Sequence, residues 1–329
     1  SRRIEDLSAR ELVELFIGEP GIDAFLPDGT YVTDPRNGDR ILFNAARARR
    51  PHDNRPAVTN TEPNEGTCII CQGQTTGIVD TAALSQGHTF INKNLFPVLF
   101  PFSPGQRDEE PASSPIGRGP DRGLARGLHF LQWSSSLHDK DWHNMPASDR
   151  FVVMERLAAL EEKLIVDAAD LIQEDQSRSE ESSGTNSVLI TNNYGRLVGG
   201  SLIHGHQQIA FSSVLPRRFA DNHRFKQTQG ETFSAYMLRE NPPDLTIKDY
   251  GPAVLQVPYF MRRPYDMMLL LKRNNRRYLH QLSQIELQAV SDGWRDAIRI
   301  IRTVMPAIGR EIAYNVLTNN GPGAGLYFQ

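Results

Sequence analysis

Cysteine is nearly absent. Cys68 and Cys71 are the only two in 329 residues, too few for a disulfide scaffold, so a reducing compartment is expected, with the cytoplasm as default. Long apolar runs are missing too. Nothing approaches the roughly 18 residues that cross a bilayer, and the opening "SRRIEDLSARELVELF" reads as a charged amphipathic helix rather than a secretory leader. Nor is there an excess of charge of one sign: 36 Lys and Arg stand against 39 Asp and Glu, a net charge of -3. That excludes a global electrostatic footprint for nucleic acid or an anionic membrane. The basic runs "RRPHDNR" and "KRNNRR" are short, and such runs are usually solvated surface. What is present, 39% hydrophobic and 23% charged residues, is the composition of a folded protein with a sizeable core.

Turn signals and periodicity organise the chain. Asn37-Gly38, flanked by strand-like segments, predicts a hairpin, and "CIICQG" reads as a tight turn. "TFINKNLFPVLFPF" reads as a strand broken by Pro97, and the Pro- and Gly-rich segment from Gly105 to Gly127 as a mobile surface loop. "LHFLQWSS" restores strand character. Apolar residues at Phe151, Met154, Leu157, Leu160, Leu164 and Ala168 then give a helix over residues 148–173, capped by Ser148 or Asp149. A polar linker, "EDQSRSEESSGTN", precedes the strand "SVLITNNYG". The second half repeats the plan: "AVLQVPYFMRRPYDMMLLLK" gives strands, a helix follows with Ser283 and Glu286 as a capping box, and "NVLTNNGPG" echoes "VLITNNYG". The expected unit is strand, strand, helix, strand, present twice.

The segment "GGSLIHGHQQIA" holds the densest chemistry. Taken as a strand over residues 202–210, it sends Leu202, His204, His206 and Gln208 to one face. Imidazole suits nucleophilic or acid–base work near neutral pH, and a carboxamide can hold a phosphoryl oxygen. The preceding glycines, Gly199 among them, offer backbone amides to an anion, and Ser201 adds a hydroxyl. Only one copy carries imidazoles, because the second has "GAGLYFQ" at the matching place. Cys68 and Cys71 have the spacing of a zinc half-site, whose other ligands would come from His138, His143, His88, His129 or one of the paired histidines. A redox disulfide and two unrelated thiols are the alternatives.

These residues resemble a known family. "NYGRLVGGSLIHGHQQIAFSSVLP" is similar to the active-site segment of the galactose-1-phosphate uridylyltransferase branch of the histidine triad superfamily, matching at Asn193, Gly195, Gly199, Ser201, His204, His206, Gln208, Ile209, Ser213, Leu215 and Pro216. "DPRNGDRILFNAARARRP" resembles that branch's N-terminal stretch, with Arg47 and Arg50 on its paired arginines. "CIICQG" resembles its zinc Cys-x-x-Cys, and "NLFPVL" its nucleoside-contacting segment, through Asn94 and Phe96. The resemblance implies an α+β fold of two histidine-triad-like halves, residues 1–221 and a degenerate 222–329. Each half would be an antiparallel sheet with packed helices, both in one extended sheet.

Carried over by residue, the resemblance makes His206 the nucleophile on the α-phosphorus of a nucleotide donor. Gln208 and Ser201 would stabilise the phosphoryl oxygens, Asn193 and Gly199 hold the phosphate, Arg47 and Arg50 supply cations, and Asn94 and Phe96 contact the nucleoside. Cys68, Cys71, His138 and His204 would ligate a structural Zn²⁺. The position that matches an acidic residue of a second metal site is Asn222, so no second metal is expected. The implied activity is nucleotidyl transfer through a nucleotidyl-histidine, with hexose-1-phosphate uridylyl transfer first. An ADP-sugar or diadenosine tetraphosphate phosphorylase is the alternative, and a non-catalytic nucleotide sensor the lesser one. The implied partners are a nucleotide-sugar or dinucleotide donor and a phosphorylated acceptor, with no membrane or nucleic acid, in a homodimer.

Overall fold

The computed structural model describes residues 3–51, 68–101, 122–167 and 187–329. The polar linker, residues 168–173 of the expected helix and residues 105–121 of the expected loop lie outside them. The first helix, α1 (Ala9–Ile17), is held by a capping box between Ser8 and Glu11 and buries Leu12 and Phe16. The hairpin follows as predicted. β1 (Thr30–Thr33) pairs antiparallel with β2 (Arg40–Leu42), and Gly38 takes the left-handed φ of 77° that the turn demands. A third strand, β5 (Arg122–Leu124), joins their small sheet from within the segment read as loop. Gly123 permits this, since a Cβ there would stand 2.4 Å from the Tyr31 ring.

Ten strands form the main sheet, in the order β3-β4-β6-β8-β7-β12-β13-β11-β10-β9, with every pair antiparallel. The first five are β3 (Ile78–Ala83), β4 (His88–Lys93), β6 (Gly127–Trp133), β7 (Ser187–Tyr194) and β8 (His206–Ser212). The others are β9 (Thr246–Asp249), β10 (Ala253–Gln256), β11 (Met268–Leu271), β12 (Tyr314–Asn319) and β13 (Tyr327–Phe328). Read outward from the centre, the two sides have the same chain order. The repeating unit is therefore three strands, a helix and two strands, one strand longer at each end than its sequence suggested. The echoing segments are neighbours: β7 pairs with β12 through Asn193 opposite Asn315 and Tyr194 opposite Tyr314, whose rings stack 5.3 Å apart.

Two long helices cover one face. The first, α2 (Ala147–Glu162), begins after Pro146, which makes no side-chain cap. Ser148 and Asp149 fall inside its first turn, where Asp149 accepts from the Ser85 backbone and hydroxyl instead of capping the helix. Met154, Leu157, Leu160 and Leu164 are fully buried, as their spacing implies, while Phe151 is half-buried. Two shorter helices, α3 (Arg217–Gln229) and α4 (Phe233–Glu240), follow β8. Residues 221 and 222, where the sequence places the change of half, both lie inside α3; the sheet itself changes half between β7 and β12. The last helix, α5 (Gln284–Ala307), starts at the expected Ser283–Glu286 capping box and packs on α2, with Trp142 and Trp294 edge to face at 4.8 Å. One apolar core spans both halves of the sheet on the face beneath α2 and α5, and two smaller clusters lie on the opposite face.

Candidate active site

The two histidines part company at Gly205. The strand starts at His206, not at Leu202, so His204 stands on the approach and its ring leaves the sheet face that His206 and Gln208 share. Gly205 makes the break possible. Its carbonyl accepts from the Ser134 amide at 2.9 Å, and a Cβ there would lie 2.4 Å from the buried Asp141 carboxyl carbon. Trp133, opposite His206 in the β6–β8 pair, separates the rings: it lies 4.9 Å from His206 and edge-on to His204 at 5.4 Å.

His206 is held in one tautomer. Its Nδ1 lies 2.8 Å from the His204 carbonyl, an acceptor only, so Nδ1 carries the proton and Nε2 keeps its lone pair. The strand beneath it is fixed by Asn192, whose side chain donates to the His206 carbonyl at 2.9 Å. His206 as a whole is 8% exposed, so it is largely shielded from bulk water.

His204 serves the other cluster. Its Nε2 donates to the Ser135 carbonyl at 2.8 Å, which turns the unprotonated Nδ1 toward Cys68 and Cys71, each at 3.6 Å. His138 Nδ1 is 3.6 Å from Cys71, and the four ligand atoms lie within 4.8 Å of one another. A tetrahedral ion with Zn–S of ~2.3 Å and Zn–N of ~2.05 Å sets its sulfur and nitrogen ligands roughly 3.6 Å apart. The donor set fits such an ion, and Ser135 supplies the outer contact that orients a ligating imidazole. Of the other candidates, His88 lies on β4, His129 on β6, and His143 has a buried Nδ1 without a partner among the described residues; none belongs to the cluster.

Around His206 the remaining predicted residues take different places. Gln208 bonds to His129, a fully buried imidazole one strand away. Burial, aided by the charge of Arg47 and opposed by Gln208, holds His129 at a pKa of about 3. The Val98 amide donates to its Nδ1 at 3.1 Å, so its proton sits on Nε2. Arg47 donates to the Phe96 carbonyl; burial and its neighbour Arg50 lower its pKa to about 10, leaving it charged at neutral pH. Asn94 is buried and spent internally, its Oδ1 accepting from the Phe96 amide at 2.9 Å, so it shapes the turn that presents Phe96. Phe96 is half-buried against Phe25, 4.4 Å away. Asn193 is half-buried next to the Gly195–Gly199 turn, and Ser201 is half-buried just beyond it.

The glycine turn departs from expectation. The Gly199 amide donates to Arg196 and the Gly200 amide to Gly195, so both are spent inside the turn rather than turned to an anion. The Gly199 carbonyl instead accepts from Arg50 at 3.1 Å, tying the arginine segment to the approach loop. Sequence reasoning missed Trp133 and Asp141, and offered His129 only as a zinc ligand rather than as the partner of Gln208. Alternation along "LHFLQW" would have placed His129 and Trp133 on one face, whereas nothing local marks Asp141.

The fold likeness to known structures covers most of the chain. A structure described as a uridylyltransferase superposes with a TM-score of 0.64 at 18% identity, over 91% of this chain and 84% of that one. The chain has the uridylyltransferase fold. An ADP-glucose phosphorylase from Arabidopsis thaliana with bound ADP-glucose gives 0.58 at 15%, over 91% and 87%. A GalT-like protein from the same plant gives 0.57 at 13%, over 91% and 86%. No protein-family model matches the sequence. Among the described residues, no helix is long and apolar enough to cross a membrane.

Proposed function

We propose that the chain is a nucleotidyltransferase that passes a nucleoside monophosphate through His206. The observation that carries this reading is the fixed tautomer: Nδ1 is tied to the His204 carbonyl, leaving Nε2 as the nucleophilic lone pair. Nε2 attacks the α-phosphorus of the donor. The bond to the bridging oxygen breaks and the sugar phosphate leaves with that electron pair; an acceptor phosphate oxygen then attacks the same phosphorus and returns His206 to its free state. Gln208 and Ser201 hold the phosphoryl oxygens, Arg47 and Arg50 offset their charge, Asn193 and Gly199 line the approach, and Phe96, set by Asn94, walls the nucleoside.

A Zn²⁺ on Cys68, Cys71, His138 and His204 would supply structural rigidity. His204 then serves twice, its ring as ligand and its carbonyl as the acceptor that sets the nucleophile. The repeated strand order on either side of β7 and β12 supports two histidine-triad-like halves, the second degenerate, and we propose a homodimer in the cytoplasm. UDP-hexose with a hexose-1-phosphate acceptor is the first substrate pair. Likeness to an ADP-glucose phosphorylase at a comparable TM-score supports adenylyl transfer to phosphate as the second reading.

The test is intact mass after incubation with UDP-glucose and, separately, with ADP-glucose, without acceptor. A UMP-sized or AMP-sized adduct that is absent in His206→Gly establishes the covalent histidine and identifies the base. If no donor, dinucleotides included, leaves an adduct while nucleotide still binds, the sensor reading replaces this one.

A further inference from the structure

The first turn of α3 places charge against the helix dipole. Arg217 and Arg218 open it, no acidic residue lies in that turn, and Pro216 gives no side-chain cap. A helix N-terminus favours negative charge, so two cations there are unfavourable on their own. Arg217 is offset by Asp39 at 3.6 Å and Asp221 at 3.4 Å. Arg218 has no ion pair or side-chain hydrogen bond among the described residues. Its charged neighbours Arg262 and Arg263 are cations as well, and burial, partly countered by Tyr327 and reinforced by those two arginines, draws its pKa down.

These arginines line a cavity of about 1290 Å³ beside β12 and β13. Asn222, one turn along α3, lines it too and is only 6% exposed. Its Oδ1 accepts from the Tyr327 hydroxyl at 3.2 Å, while its Nδ2 has no partner among the described residues. Phe225, Phe233 and Phe260 form an apolar wall. Tyr265, just after Arg262, Arg263 and Pro264, lines the same space and is the one non-glycine with positive φ, at 70°, among the described residues. Such strain persists where surroundings over-determine the backbone, as in ligand clamps.

We propose that this cavity is a second anion site, apart from His206, which takes the phosphate group of a small phosphorylated molecule on Arg218, Arg262 and Arg263. The three guanidinium groups donate and none accepts, and the carboxylates of the lining are engaged by Arg217 (Asp39, Asp221) and by the Arg263 amide (Asp266), which suits a multivalent oxyanion better than a single carboxylate. The aromatic wall receives the organic part. The ligand is a separate phosphorylated effector, because the acceptor's own phosphate has to reach the phosphorus carried by His206.

Calorimetric titration of the full chain with inorganic pyrophosphate tests the site. To remove binding near His206, the titration uses an Arg47→Gln/Arg50→Gln background. The site predicts that binding persists there and weakens at least tenfold when Arg262→Gln and Arg263→Gln are added, both exposed positions that leave the core intact. Arg224→Gln, on the same helix but 71% exposed and outside the cavity, should change nothing. Binding that disappears with Arg47 and Arg50, or that ignores Arg262 and Arg263, overturns the proposal. Discharge of a His206 adduct by galactose-1-phosphate or phosphate should be unchanged in the Arg262→Gln/Arg263→Gln protein; slower discharge would place these arginines in the transfer site and overturn the separate one. The titration does not need the adduct, so an adduct without pyrophosphate binding sinks the second site alone, and the reverse sinks the transfer reading alone.

Discussion

Gly205 couples the two functional clusters through what it lacks. Its missing side chain lets the Asp141 carboxyl lie against the backbone between His204 and His206, where any Cβ would come within 2.4 Å. Gly205→Ala should therefore cost roughly 1–3 kcal/mol through overpacking and displace His206, lowering turnover more than nucleotide affinity. Adding Asp141→Gly should restore part of both, a coupling that a double-mutant cycle in urea unfolding and turnover would measure. His129 sets a pH dependence of opposite character. Burial, with help from Arg47, lowers its pKa from 6.5 to about 3. Between those values the unfolded chain binds a proton that the folded chain refuses. Its contribution is thus complete above about pH 6.5 and is lost as the pH falls toward 3, by up to ~1.4 kcal/mol per pH unit. Urea midpoints at pH 7 and pH 5 should converge in His129→Gln relative to the unaltered chain; an equal fall in both would assign the acid sensitivity elsewhere.

At the scale of elements, the Cys-x-x-C turn acts as a clamp on two other segments. Its hydrogen bonds, Gln72 to Cys68 and Gly73 to Ile70, present both sulfurs to one side, where His138 from the loop after β6 and His204 from the approach to β8 arrive. One zinc per chain is expected by elemental analysis. Cys68→Ser should abolish it, His143→Ala should leave it, and chelation should lower the unfolding midpoint by on the order of 10 °C. Much of this was legible, because ligand spacing and turn chemistry are local: the hairpin at Gly38 and the Ser283 cap read correctly, and the two cysteines fall in one cluster with His138 and His204. The strand at the histidines did not, since period-two alternation cannot register a break that Gly205 and a residue 64 positions away impose together. β5 was hidden for the same reason, its pairing with β1 depending on the Tyr31 ring above Gly123. The α2 cap failed because Asp149 found a better partner in Ser85, a contact made only when the chain has folded.

For the whole molecule, the duplication that the sequence suggested governs how the halves depend on each other. The echoing strands β7 and β12 lie at the centre, so dividing the chain opens a ten-stranded sheet along its middle and leaves a row of unpaired backbone groups. The helices cross the divide as well. Glu161 of α2 is fully buried, and its carboxylate accepts from the His280 amide at 3.1 Å and the Asn320 side chain at 2.9 Å, both from the second half. Arg150 of α2 is buried against Asp292 of α5. Without the second half, Glu161 and Arg150 would remain as charges lacking these partners, a condition that costs about 3–5 kcal/mol when a buried pair is broken. A fragment of residues 1–216 should therefore show no cooperative melt. The full chain should unfold in one transition, with tryptophan fluorescence, which reports Trp133 in the first half and Trp142 and Trp294 at the seam, coinciding with far-ultraviolet circular dichroism. Two separated transitions would mean that the shared core does not bind the halves into one unit, and that each repeat holds its own fold despite the central strands.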